Sequence, residues 1–177
     1  MSDNGAMGNG GQGERDTLND ALNGGVDRAL VHDHITALRG VVPKAAWGET
    51  SYFFNPGQRF ERGTYFATIK DHDGVNDHAS RLDRPGVWRL NMGVAKPVYF
   101  ALFGPPPPRP GKGRTIEGDW DFTALDTLMP HPVYGWMGWI AVLNPSPATW
   151  ARCRPLIDSA YERAKATFDK RMKATDR

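Results

Sequence analysis

Two strand-like segments of this chain carry cations and an amide at alternate positions. Between Gly63 and Lys70, alternation sets Thr64, Phe66, Thr68 and Lys70 on one face; between Val87 and Val94 it sets Arg89 and Asn91 opposite Trp88, Leu90 and Met92. Where the two polar faces meet, Arg89 offers a planar donor fork, Lys70 a point charge and Asn91 an amide. Such a set suits a carboxylate, phosphate or enolate oxygen. The alternative is the solvated face of a half-buried sheet. His131 stands between Pro130 and Pro132, three residues before Tyr134. A histidine held this way forms either an acid/base pair with Tyr134 near neutral pH or a structural bond to a backbone carbonyl.

Glu49, just after Trp47 and Gly48, supplies a carboxylate for a pocket whose walls would include Trp47 and Trp136. The aromatic set Tyr52, Phe53, Phe54, Phe60, Trp88 and Trp139 serves either that pocket or the core. Arg84, in the turn Asp83-Arg84-Pro85-Gly86, is either solvated or closes over a ligand at the sheet edge. The catalytic candidates are therefore His131, Tyr134 and Glu49, and the ligand-binding candidates Lys70, Arg84, Arg89, Asn91, Trp47 and Trp136.

Other chemistries find no pattern. Asp71-His72-Asp73 with Asp77 and His78 gives a His-x5-His spacing that matches no helical metal pair, and His32 and His34 lie two apart on a helix. No metal site is expected. Gly111-Lys112-Gly113 lacks the Ser or Thr and the helix that a phosphate loop requires, and no Gly-x-Ser-x-Gly elbow occurs. No cofactor is expected either. The single cysteine, Cys153, forbids an internal disulfide and reads as an inert core thiol.

The elements that must position these groups follow from periodicity and punctuation. Val26, Leu30, Val31, Ile35 and Leu38 predict a helix over 26–39, stopped by Gly40. Segments 47–54 and 63–70 read as hairpin strands around Asn55-Pro56-Gly57, followed by a brief helix over 76–82 and a strand over 87–94. A two-turn helix is predicted for 96–103 and one or two helical turns for 122–128. Segment 136–143, nearly all apolar, predicts a central strand. The last helix has Ser146 as N-cap, Pro147 at its first position and an apolar stripe of Trp150, Cys153, Ile157, Ala160, Ala164 and Phe168, with a kink or restart expected at Pro155. Seven of the 20 glycines fall in residues 1–25, read as a flexible arm, and five of the 14 prolines crowd a surface loop within 104–118. Strands joined by tight turns, with helices gathered at the ends, predict a two-layer α+β domain over 26–172 with an antiparallel sheet covered by helices.

At 177 residues, with 40% hydrophobic, 24% charged and 11% aromatic content, the chain has the composition of an ordinary globular domain rather than a fibrous or wholly disordered one. No run of about 18 apolar residues marks a membrane span, and no leader is evident, so a cytoplasmic setting is expected. The formal charge of +2 does not demand nucleic acid.

Specific strings carry resemblances. The Leu38, Gly40, Val41 turn, Trp47-Gly48-Glu49, the hairpin ending in Thr68-Ile69-Lys70 and the Trp139 strand followed by a helix with Asp158-Ser159-Ala160-Tyr161 resemble the MmcQ/YjbR-like family. Leu82-Asp83-Arg84-Pro85-Gly86-Val87-Trp88-Arg89-Leu90-Asn91 and Pro130-His131-Pro132-Val133-Tyr134 are more closely similar to an actinobacterial family of unknown function. The resemblance implies the two-layer α+β fold, with DNA binding implied by YjbR-like proteins and a small-molecule role in secondary metabolism by members in antibiotic gene clusters. The expected function is a cofactor-independent small-molecule binding protein or acid/base enzyme. The alternative is a DNA-binding module; a second copy of the chain is a further candidate partner.

Overall fold

A computed structural model describes residues 22–176. Six strands form one antiparallel sheet in the order β1-β2-β3-β4-β6-β5. The strands are β1 (Val41–Ala46), β2 (Glu49–Phe54), β3 (Thr64–Lys70), β4 (Arg89–Gly93), β5 (Met129–Pro130) and β6 (Trp139–Leu143). Among the described residues they are accompanied by helices α1 (Arg28–Thr36), α2 (Lys96–Phe103) and α3 (Pro147–Thr175). The architecture is the two-layer α+β fold read from the sequence.

Helix α3 begins where Ser146 accepts the Thr149 amide and Pro147 needs no partner for a missing N–H. Its stripe of Trp150, Cys153, Ile157, Ala160 and Ala164 packs with Val31 and Ile35 of α1 onto Tyr52, Phe66, Ala67, Ile69, Leu90, Met92, Ile140 and Val142. That cluster is the core, and it occupies one face of the sheet. Burial pushes the Cys153 thiol up to about 12, so it stays protonated and inert. The helix continues through Pro155 without a restart. Among the described residues, no helix is long and apolar enough to cross a membrane.

Several boundaries differ from the sequence reading. Trp47 and Gly48 are not strand but the hairpin tip between β1 and β2, both with positive φ, 48° and 72°. Strand β1 carries no strand signal in the sequence because it is a mostly exposed edge strand without an apolar alternation, and Pro43 is tolerated there. Segments 76–82 and 122–128 form turns rather than helix, their backbones engaged by the side chains of Asp73 and Asp121 instead. The strand predicted over 136–143 starts only at Trp139, after a 3-10 turn at Gly135–Met137. Most of the arm expected over 1–25 lies outside the described residues; Leu22, within it, packs against Leu82, Val87 and Leu143.

One irregularity decides the phase of β3. Tyr52 pairs with Ala67 but Phe53 with Tyr65, leaving Phe66 as the extra residue of a β-bulge. Phe66 and Ala67 therefore both enter the core, and Tyr65 joins Thr68 and Lys70 on the opposite face. The expectation that Thr64 and Phe66 share a face with Thr68 and Lys70 fails for this reason.

Candidate functional site

The face of the sheet turned away from the helices carries polar rows. Strand pairing sets Glu49, Lys70 and Arg89 side by side across β2, β3 and β4, and beside them Ser51, Thr68 and Asn91. Loops cover these rows. The segment after β3 folds back as Asp73 accepts the Leu82 amide at 2.8 Å and Asp83 accepts the Asp73 amide at 3.1 Å. This turn brings Asp77 and Ser80 over β4.

Arg89 is 0% exposed, not the half-exposed sheet residue its alternation predicts. Its guanidinium donates to both Asp77 oxygens at 3.0 and 2.5 Å, to Ser80 Oγ at 2.8 Å and to Asn91 Oδ1 at 2.8 Å. Asn91 in turn donates to Thr68 Oγ1 at 2.9 Å. A buried charge persists only with such partners. Burial works to raise the Asp77 carboxyl, but the hydrogen bonds and charge of Arg89 outweigh it and hold the group below the usual carboxylate range.

His131 is fixed from both sides. Its amide donates to the Trp139 carbonyl at 2.9 Å and its carbonyl accepts the Gly135 amide at 2.8 Å. The amides of Val133 and Tyr134 both donate to ring Nδ1 at 3.1 Å. Nδ1 is thus an unprotonated acceptor, and the ring proton resides on Nε2. Burial first, and the nearby Arg89 charge second, push the imidazole well below its ordinary value. With its value pushed down, the imidazole is neutral near pH 7 and presents an Nε2–H donor there.

The sign of this shift gives a testable slope. On acidification the unfolded chain binds a proton at His131 near the ordinary value of about 6.5, while the folded chain resists until its lower value is reached. His131 therefore contributes a loss of stability as pH falls below about 6.5. Urea midpoints measured from pH 7 to 5 should fall less steeply for His131→Phe than for the unaltered protein. Parallel slopes would refute the buried neutral imidazole.

Glu49, Tyr65, Thr68, Lys70, Asp77, Asn91, His131, Tyr134 and Trp139 line one cavity of about 200 Å³. Lys70 Nζ lies 3.3 Å from a Glu49 oxygen, and Tyr65 stacks on Trp139 with ring centroids 4.9 Å apart. Burial, then the neighbouring Tyr134 and Glu49, raise the Tyr65 hydroxyl above its ordinary value, so it remains a neutral donor. Five of the sequence candidates, Glu49, Lys70, Asn91, His131 and Tyr134, meet here, with Arg89 bonded to the wall.

The other three stand apart. Arg84 staples a loop, donating to the carbonyls of Arg81, Ser80 and Thr123 at 3.0 to 3.1 Å. Trp47 is 97% exposed at its hairpin tip and borders a different cavity. Trp136 lies beneath Arg109, 5.0 Å from its ring centroid, in a groove along the Pro-rich loop. On the sequence alone Ser80 and Tyr65 have no site role, Asp77 figures only in the rejected metal cluster and Trp139 stands between pocket and core. A strand as apolar as 87–94 does signal that its arginine needs a nearby carboxylate, which is what Asp77 supplies. Among the described residues, no cluster of three or more His, Cys, Asp or Glu side chains could hold a metal ion.

Comparison with curated proteins and with solved structures finds no match. The model of a family of unknown function, DUF6194, matches residues 26–173, which takes in every strand, helices α1 and α2, all but the last two residues of α3 and the whole of the cavity lining. The chain belongs to that family.

Proposed function

We propose that the protein binds a small polar molecule in the cavity on the loop-covered face of its sheet, without a cofactor. The observation that carries this reading is the polar wall of buried Arg89, Asn91 and His131 with the partly exposed Asp77. A sheet face of similar volume filled with apolar side chains would be at least as stable, so a buried ion pair of this kind is poor evidence of a merely stabilising role. Here it sits directly behind a cavity rather than in a closed core. Opposite it, Tyr65 and Trp139 supply an aromatic surface, and Glu49 and Lys70 place a proton acceptor and a cation at one side. Such mixed walls are the usual makeup of ligand pockets. The volume of about 200 Å³ is below the roughly 300–1,000 Å³ of sites for drug-sized ligands, so the occupant, or the part of it inside, is small. Glu49 is the carboxylate placed to accept a proton from such a ligand in an acid/base step.

Amide spectra of the labelled protein, recorded against a set of small acids, amides and alcohols, test the assignment. Binding compounds are expected to shift Thr68, Asn91 and Tyr134 together, and Lys70→Met is expected to weaken them by about tenfold, the loss of one charge-assisted bond. Shifts confined to other surfaces, indifferent to Lys70→Met, would refute it.

A further inference from the structure

The identity of the recognised group can be read from a proton. With Nδ1 of His131 occupied by the Val133 and Tyr134 amides, the ring carries its hydrogen on Nε2. Nε2 lies 3.1 Å from Nη2 of Arg89, and a guanidinium nitrogen has no lone pair to offer. Asp77 Oδ2 is 3.9 Å from Nε2, outside hydrogen-bond reach, and already accepts from Arg89 at 2.5 Å. Two donor groups are therefore in contact, and among the described residues no acceptor takes the Nε2 hydrogen. His131 is only 3% exposed and lines the cavity, so an acceptor for that hydrogen has to come from the cavity side.

Further donors line the same cavity. Asn91 donates one N–H to Thr68 and accepts from Arg89 on its oxygen, which leaves a second N–H. Lys70 gives one of its three to Glu49 at 3.3 Å. The acidic groups facing them are Asp77, with both oxygens engaged by Arg89, and Glu49, paired with Lys70; Tyr65 and Tyr134 add neutral hydroxyls. The charges of Lys70 and Arg89 are thus balanced by Glu49 and Asp77. A doubly charged phosphate would overload such a site, whereas a single negative oxygen pair satisfies the convergent donors.

We infer that the cavity recognises the carboxylate of a small organic acid, with His131 Nε2–H as its buried donor and Lys70 as its cation. The rest of the acid leaves past Tyr134. That residue, 44% exposed, lines both this cavity and an adjoining groove of about 500 Å³ bordered by Arg109, Lys112, Val133 and Trp136. The inference rests on the cavity being a ligand site.

The test uses the full chain, labelled with nitrogen-15. Long-range proton–nitrogen spectra report the His131 tautomer directly, and acetate and benzoate are titrated against acetamide, benzamide and inorganic phosphate at constant ionic strength. The expected result is an Nε2–H ring whose signal shifts saturably with the two acids. Amides and phosphate should bind about tenfold more weakly or not at all, and Lys70→Met should lower affinity for the acids by a similar factor. An Nδ1–H tautomer, or amides or phosphate binding at these residues as tightly as the acids, overturns the carboxylate inference and leaves the cavity as a ligand site. Silence of every cavity residue towards all five probes overturns both.

Discussion

Asp77→Ala is expected to destabilise the fold by about 3–5 kcal/mol, the cost of leaving a buried charge without its partner. Arg89 is 0% exposed and donates two of its hydrogen bonds to the Asp77 carboxylate, so removing that carboxylate strands a guanidinium that water does not reach. Urea unfolding of the two proteins at pH 7 measures the difference. The double variant Asp77→Ala with Arg89→Met should recover much of the loss, because an apolar side chain needs no counter-ion. A loss below about 1 kcal/mol in the single variant would show that the pair is solvated, as most surface ion pairs are. The pH dependence has a defined sign: with its carboxyl held below the ordinary range, Asp77 stabilises fully above about pH 3.9 and ceases to as pH falls through its lower folded value. Truncating a half-exposed Arg89, the residue that strand alternation predicts, would cost about 1 kcal/mol or less. Its burial raises that expectation severalfold.

Trp139→Ala should cost about 3–5 kcal/mol, the range for a large aromatic removed from a packed site, and should abolish the aromatic wall of the cavity. The ring is 5% exposed and stacks on Tyr65, and it lies so close to Gly93 that a β-carbon there would sit 2.8 Å from it. Glycine is what allows the indole to lie flat on β4. Trp139→Phe keeps a ring in place and should lose much less stability, so the pair of variants separates wall from bulk. The readouts are the urea midpoint and the shifts of Thr68 and Tyr134 amides with the small acids. Unchanged binding in a folded Trp139→Ala protein would remove the aromatic wall from the site.

Local rules were enough for the parts of the chain that bury one face in a regular way. Helix α2 spans the predicted Lys96–Phe103, with Pro97 in its first turn, and α3 has the predicted cap, first-position proline and stripe. The strand over 87–94 shows the predicted alternation, Leu90 and Met92 towards the helices and Arg89 and Asn91 away from them. From these, the α+β class and the antiparallel sheet followed. The residues of the polar face were legible for the same reason, since a side-chain period of two needs no tertiary information.

What the tertiary structure alone decided is how that face is used. A single extra residue at Phe66 reverses the phase of β3 and turns Tyr65 towards the cavity; a pattern of alternating types carries no mark of where a bulge will fall. The string Leu82 to Asn91 is tied to the residue that follows β6, with Asn144 accepting the Trp88 amide at 3.1 Å and donating to the Gly86 carbonyl at 2.9 Å. Asp77 became the partner of Arg89 only because the turn held by Asp73 and Asp83 lays it over β4. The state of His131 was fixed by two amides that follow it in the chain and by a guanidinium 42 residues before it. Charge, tautomer and burial depend on distances between groups remote in sequence, and in a medium from which water is excluded those distances determine which protonation state survives.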